Sequence, residues 1–185
     1  MDHPGLTVWF TGLSISDQRR ICNGVYDALA FRGFSVELLD SNEVHAQLCD
    51  EPGIKREDVE KTARKIGFVA NLLTRHDVIV LVSSFSPNRV TRNEIRRSIG
   101  SFMEVYVNSP PEVFEQSSPA PAGGQALTGS SCLLNIPHKS YEPPLAPEVE
   151  CRTDLECMSA SVMKVMSEIL RRMSPPRPPA AAISF

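Results

Sequence analysis

The chain has 185 residues, 42% hydrophobic and 22% charged, with a formal charge of -3, which suits one soluble domain with a single core. That balance gives no electrostatic pull toward nucleic acid or an anionic membrane, and no apolar stretch is long enough to span a bilayer. Asp2 and His3 precede a β-type segment rather than a basic n-region, so a cytoplasmic location is expected. Five cysteines, Cys22, Cys49, Cys132, Cys151 and Cys157, contain no C-x-x-C pair. They read as free thiols rather than as a disulfide framework or zinc site.

Thr7 to Thr11 is a short run of β-branched, aromatic and apolar residues, the pattern of a buried strand. Ile21, Val25, Ala28 and Leu29 then recur at helical spacing, and Gly33 ends that helix. A second strand is predicted over Ser35 to Asp40, and an amphipathic helix over residues 56–75 on Val59, Ala63, Ile66, Val69, Ala70 and Leu73. Val78 to Val82 is wholly apolar, as in a strand buried on both faces of a parallel sheet. Arg89 to Ile99 is helical in pattern and Met103 to Val107 is another strand. Alternating strands and helices predict a three-layer α/β fold with a mostly parallel central sheet.

The alternation then stops. Ser117 to Gly124 is Pro-, Ala- and Gly-rich and predicts a flexible loop, extending over 117–137. Order is expected to return near Tyr141, with a last amphipathic helix over Ser159 to Met173. One domain is thus expected over 1–173, followed by a disordered Pro-rich tail over 174–185. His3, His76 and His138 have no constellation around them and are expected at the surface.

Strand, Gly12-Leu13-Ser14, helix and Leu38-Leu39-Asp40 follow one another. Arg64-Lys65-Ile66-Gly67-Phe68-Val69-Ala70, Ser86-Pro87-Asn88-Arg89, Glu104-Val105-Tyr106-Val107 and Tyr141-Glu142-Pro143-Pro144-Leu145 come next. This ordered series resembles the adenylylsulfate (APS) kinase family over about residues 5 to 170. The resemblance implies a P-loop kinase fold and transfer of the γ-phosphate of ATP to the 3′-hydroxyl of APS, with ATP and Mg²⁺ required and a homodimer as the common assembly.

A P-loop of the form G-x-x-x-x-G-K-[ST] offers backbone N–H groups and a lysine to phosphates, and a hydroxyl to Mg²⁺. The corresponding segment here is Gly12-Leu13-Ser14-Ile15-Ser16-Asp17-Gln18-Arg19. Ile15 and Asp17 stand where the family has glycine, Gln18 replaces the lysine, and Arg19 the hydroxyl. Asp17 brings a carboxylate to a helix start that should hold phosphates, and with Ser16 it reads as an ordinary N-cap. On the acceptor side Asp40 is retained, while Asn42 and His45 stand where the family has aspartate and arginine. An amide cannot take up the hydroxyl's proton, and a histidine lacks the guanidinium fork. Ile54 replaces a phenylalanine, and Val59 and Thr62 replace an arginine and an asparagine. The family's basic lid is absent, since no Lys or Arg occurs from Gln116 through Pro137.

Asp40 and Ser86 are retained at family positions, and Arg64, Ser86, Pro87, Arg89 and Arg92 are candidates for anion or nucleotide binding. The expectation is a pseudokinase, acting as a binding, regulatory or scaffolding module linked to sulfate assimilation. It would need no cofactor, bind APS or PAPS weakly, and pair with itself or another protein. Domains of this family attached to some ATP sulfurylases offer a parallel, sensing PAPS without the kinase reaction. The alternative is an active APS kinase using ATP and Mg²⁺.

Overall fold

The computed structural model describes residues 3–48, 56–109 and 141–173. Ile54, the predicted lid loop at 117–137 and the tail at 174–185 lie outside them. In chain order the elements are β1 (Leu6–Gly12), α1 (Ile15–Phe31), β2 (Val36–Asp40), α2 (Ser41–Leu48), α3 (Arg56–Thr74), β3 (Ile79–Ser83), α4 (Arg89–Ile99), β4 (Phe102–Asn108), β5 (Val149–Arg152) and α5 (Met158–Met173). The strands form one sheet in the order β2-β3-β1-β4-β5, and every pairing is parallel. Each neighbour therefore has to be reached by a crossover, which puts helices on both faces.

The period-2 geometry of a strand divides the apolar residues between the two layers. Leu6, Val8 and Phe10 face Ile21, Val25 and Leu29 of α1 and Val165 and Ile169 of α5. Trp9, one residue out of phase, faces Ala63 and Ile66 of α3 and Ile95 of α4. The four apolar residues Ile79 to Val82 in β3 are wholly buried, two toward each layer, as their unbroken run predicts. In β4 the same alternation sends Met103, Val105 and Val107 toward α1 and α5. Glu104 is thereby turned to the α4 side, where Arg92 and Arg96 meet it.

Two elements were not expected. The helix α2 follows β2 without a break, and β5 has only four residues, Val149 and Cys151 buried and Glu150 and Arg152 exposed. Its pairing with β4 is what makes it a strand. His3 also departs from expectation. It is buried, with its ring 5.0 Å from that of Phe34, because the sheet brings residue 3 beside the start of β2. His76 is exposed, and His138 lies outside the described residues. No helix among the described residues is long and apolar enough to cross a membrane.

Candidate functional site

The carboxyl ends of β1, β2 and β3 carry the β1–α1 turn, Asp40 and the Ser83-to-Pro87 segment on one edge of the sheet. At that edge of an open parallel sheet, ligands bind. Gly12 ends β1 beside β4, and a Cβ built on it would lie 2.2 Å from the carbonyl oxygen of Val107. Glycine is required there by the close approach of two backbones.

The helix α1 is capped two to three residues earlier than expected. Ser14, not Ser16 or Asp17, is the N-cap, and its hydroxyl accepts the backbone N–H of Asp17 at 3.2 Å. Asp17 sits at the third helical position, where a carboxylate complements the unpaired N–H groups. It accepts a hydrogen bond from Ser109 at 3.0 Å, and Ser109 in turn accepts one from Thr153 at 2.9 Å. These links tie the start of α1 to the ends of β4 and β5. Nothing near Asp17 in the sequence signals them.

Gln18 is fully buried. Its side-chain amide donates to the carbonyl of Gly12 at 2.8 Å, folding the turn onto itself, while its Oε1 has no hydrogen-bond partner among the described residues. Arg19 forms a two-pronged ion pair with Asp40, Nε to Oδ2 at 2.6 Å and Nη2 to Oδ1 at 2.7 Å. The hydrogen bond it donates to Asp40 pushes the Arg19 guanidinium pKa up, outweighing its partial burial. Asp40 also accepts the backbone N–H of Asn42 at 2.9 Å, so its carboxylate is spent on Arg19 and on the start of α2.

Ile15 and Leu13 turn the other way. Both pack, with Tyr106, against a cluster of Val59 from α3, Phe85 and Tyr141. Phe85 and Tyr141 lie 5.7 Å apart between ring centroids, and Tyr106 stacks on Tyr141 at 6.3 Å. The hydroxyls of Tyr141 and Thr11 are 3.2 Å apart, and burial pushes the Tyr141 phenol up. Residues from the β1–α1 turn and from α3 thus share one apolar plug. Thr62, also on α3, is buried.

Ser86 adopts a positive φ of 33°, a conformation that a non-glycine residue holds only when its surroundings enforce it. Its hydroxyl accepts the indole N–H of Trp9 at 3.1 Å and donates to Ser84 at 2.8 Å. Its carbonyl accepts from Arg92. The carbonyl of Pro87 accepts the backbone N–H of Glu142 at 2.9 Å. Arg92 is 2% exposed and donates to Glu104 at 2.7 Å and to the carbonyl of Glu142 at 2.6 Å, with its guanidinium 5.6 Å from the Tyr141 ring centroid. All three of its nitrogens serve the chain, so this anion-binding candidate is instead held in a buried internal network. Arg64 bonds Glu94 at 3.1 Å, and Arg89 approaches Glu142 at 3.4 Å. Both are partly exposed. Of the anion-binding candidates, Ser86, Pro87, Arg89 and Arg92 meet around Glu142, while Arg64 stands on α3 beside α4.

A family model described as adenylylsulphate kinase matches residues 4–152. An adenylyl-sulfate kinase of Microcystis aeruginosa is 44% identical over 91% of this chain and 93% of its own length. One from Rippkaea orientalis is 42% identical over the same shares. The structure of a Mycobacterium tuberculosis APS kinase in complex with AMPPNP and APS superposes with a TM-score of 0.75 at 25% identity, covering 91% of this chain and 99% of that one. Sequence match, parallel sheet order and the strand–turn–helix at Gly12 agree: the chain belongs to the adenylylsulfate kinase family.

Proposed function

We propose that this family member does not transfer phosphate and serves instead as a binding, regulatory or scaffolding module, with sulfate assimilation as its context. The observation that carries this reading is the apolar plug. Ile15 stands in the donor loop and Val59 on the acceptor side, and both pack into the same cluster as Phe85 and Tyr141. A triphosphate and an adenylylsulfate are polyanions that need N–H groups and cations around them. Aliphatic and aromatic carbon supplies neither.

The rest of the turn supports the same conclusion. The Gln18 amide is spent on the Gly12 carbonyl, and the Arg19 guanidinium on Asp40. Neither residue offers the ammonium or the hydroxyl that ATP and Mg²⁺ require at those places. ATP and Mg²⁺ therefore do not fit the residues present. Weak APS or PAPS binding and a homodimer belong to the proposal through the family resemblance alone.

The relatives favour a second reading. Proteins named adenylyl-sulfate kinase reach 44% identity across nearly the whole length, as an active APS kinase would. Calorimetry with ATP, APS and PAPS, alongside ADP release with APS and Mg²⁺, separates the two. We expect no ATP binding and no ADP release. Micromolar ATP affinity with turnover would establish the enzyme. The combined variant Ile15→Gly, Asp17→Gly, Gln18→Lys, Arg19→Ser is expected to stay inactive, because Val59, Asn42 and His45 are unchanged on the acceptor side.

A further inference from the structure

Gly67 of α3 sits against Ile95 of α4, where a Cβ would lie 2.9 Å from the isoleucine Cγ2. Arg64 pairs with Glu94 at 3.1 Å, and the Asn71 amide donates to the Ser98 carbonyl at 3.3 Å. Arg64, Gly67 and Asn71 thus meet Glu94, Ile95 and Ser98 in the same order. The two helices therefore run side by side and parallel, and their outer surfaces form one continuous face.

That face has an apolar part and a basic part. Phe68 and Leu72, one turn apart on α3, are 66% and 43% exposed, and Val90 at the start of α4 is 61% exposed. Apolar side chains at i and i+4 adjoin one another, and an exposed apolar patch rimmed by charge marks an interaction surface. Arg75 lies one turn beyond Leu72, and Arg97 precedes the Ser98 that Asn71 contacts. Both are exposed, and neither makes a side-chain hydrogen bond or ion pair among the described residues. Glu94, the acid between the helices, is already held by Arg64.

Charge selects the occupant. Two copies of the chain crossing on Phe68 and Leu72 would bring Arg75 and Arg97 against each other or against the exposed Lys61, Arg64 and Lys65 of the other copy, and like charges in contact are unfavourable. Residues 174–185 contain no Asp or Glu, so the chain's own tail does not complement the arginines. A formal charge of -3 on the whole chain opposes an anionic membrane. An acidic helix with its own apolar residues at i and i+4 suits both parts, covering Phe68 and Leu72 while its carboxylates meet the two guanidinium groups.

We propose that the α3–α4 face docks an acidic amphipathic helix of another protein, with Phe68 as the apolar anchor and Arg75 and Arg97 as the charge partners. This gives the binding module a partner and rests on that role; nucleotide calorimetry tests the missing kinase reaction separately, so either can fail alone.

The probe is a synthetic helical peptide with leucine at i and i+4 and glutamate on its flanks, titrated into the full chain and followed by amide NMR. A peptide with lysine in place of glutamate is the control. The glutamate peptide is expected to bind with a Kd of about 10–100 μM, shifting resonances of α3 and α4, and the lysine peptide not to bind at the same concentrations. Phe68→Ser is expected to weaken binding about tenfold or more, as is the double variant Arg75→Glu, Arg97→Glu, each with its Tm nearly unchanged because the side chains are exposed. Raising the salt concentration should weaken binding as well. The proposal is overturned if the glutamate peptide does not bind, if the lysine peptide binds as tightly, or if Phe68→Ser leaves the affinity unchanged. A wild-type dimer that Phe68→Ser converts to monomer in sedimentation would overturn it in favour of a second copy. Binding to phosphatidylserine vesicles that the double variant abolishes would overturn it in favour of a membrane.

Discussion

Replacing Arg92 by methionine tests whether this buried arginine of α4, three residues beyond the Ser86–Arg89 segment, is a structural strut or an anion receptor. Its side chain is 2% exposed and that of its partner Glu104 is 8% exposed. The change removes hydrogen bonds to Glu104, Ser86 and Glu142 and the contact with the Tyr141 ring. It strands a buried carboxylate, which costs about 3–5 kcal/mol when one partner of a buried pair is lost. Arg96 still reaches the other oxygen of Glu104 at 3.3 Å, so the lower end, about 3 kcal/mol, is expected. For a chain of this size that is about 6–12 °C in Tm. Urea unfolding at neutral pH should show the midpoint falling with little change in slope. The double variant Arg92→Met, Glu104→Met should recover part of the loss, because it leaves no bare charge behind. Added sulfate should stabilise wild type and Arg92→Met equally. A loss under about 1 kcal/mol, or a sulfate effect that disappears with Arg92, would refute the strut.

Ser14→Ala removes the cap of α1 and is expected to cost about 1 kcal/mol, read as a fall in the thermal midpoint, whereas Ser16→Ala should cost much less. A larger effect at Ser16 would return the cap to the position suggested by the sequence. Hydrogen bonds from Arg171 and then Arg172, against slight burial, hold the Glu168 carboxyl down at about 2 from its ordinary 4.5. A carboxylate depressed in the folded state stabilises above the unfolded pKa and loses that contribution as pH falls through the folded one. Glu168→Gln should therefore flatten the decline in stability between pH 4.5 and about 2. Parallel acid-unfolding curves for the two proteins would show that Arg171 and Arg172 do not hold it.

Much of the architecture is local in origin. The hydrophobic run of Val78 to Val82, the 3.6-residue spacing in α1 and α3, and Gly33 at the end of α1, where φ is 77°, each follow from a few neighbouring residues. Those features predict the element types and the parallel α/β class, with boundaries shifted by one to a few residues. The helix α2 escaped notice because Ser41 to Leu48 has little apolar periodicity and starts directly from a strand. The strand β5 escaped because four residues carry too little alternation until β4 lies beside them.

The candidate site divides in the same way. Part of its composition is legible in the chain: the segment from Gly12 to Arg19 contains no lysine, and the family resemblance sets Val59 of α3 where a cation is expected. The destinations of those side chains are not legible. Ile15 meets the cluster of Val59, Phe85 and Tyr141, Arg19 closes on Asp40, Asp17 is tied to Ser109, and Arg92 is buried on Glu104 rather than open to an anion. Each of these contacts joins residues remote in sequence or on different elements, so it depends on the order β2-β3-β1-β4-β5 and on the parallel register that aligns the strand ends. Local periodicity sets which face of an element is apolar. Which charged or polar group waits opposite that face is decided only when the sheet is assembled.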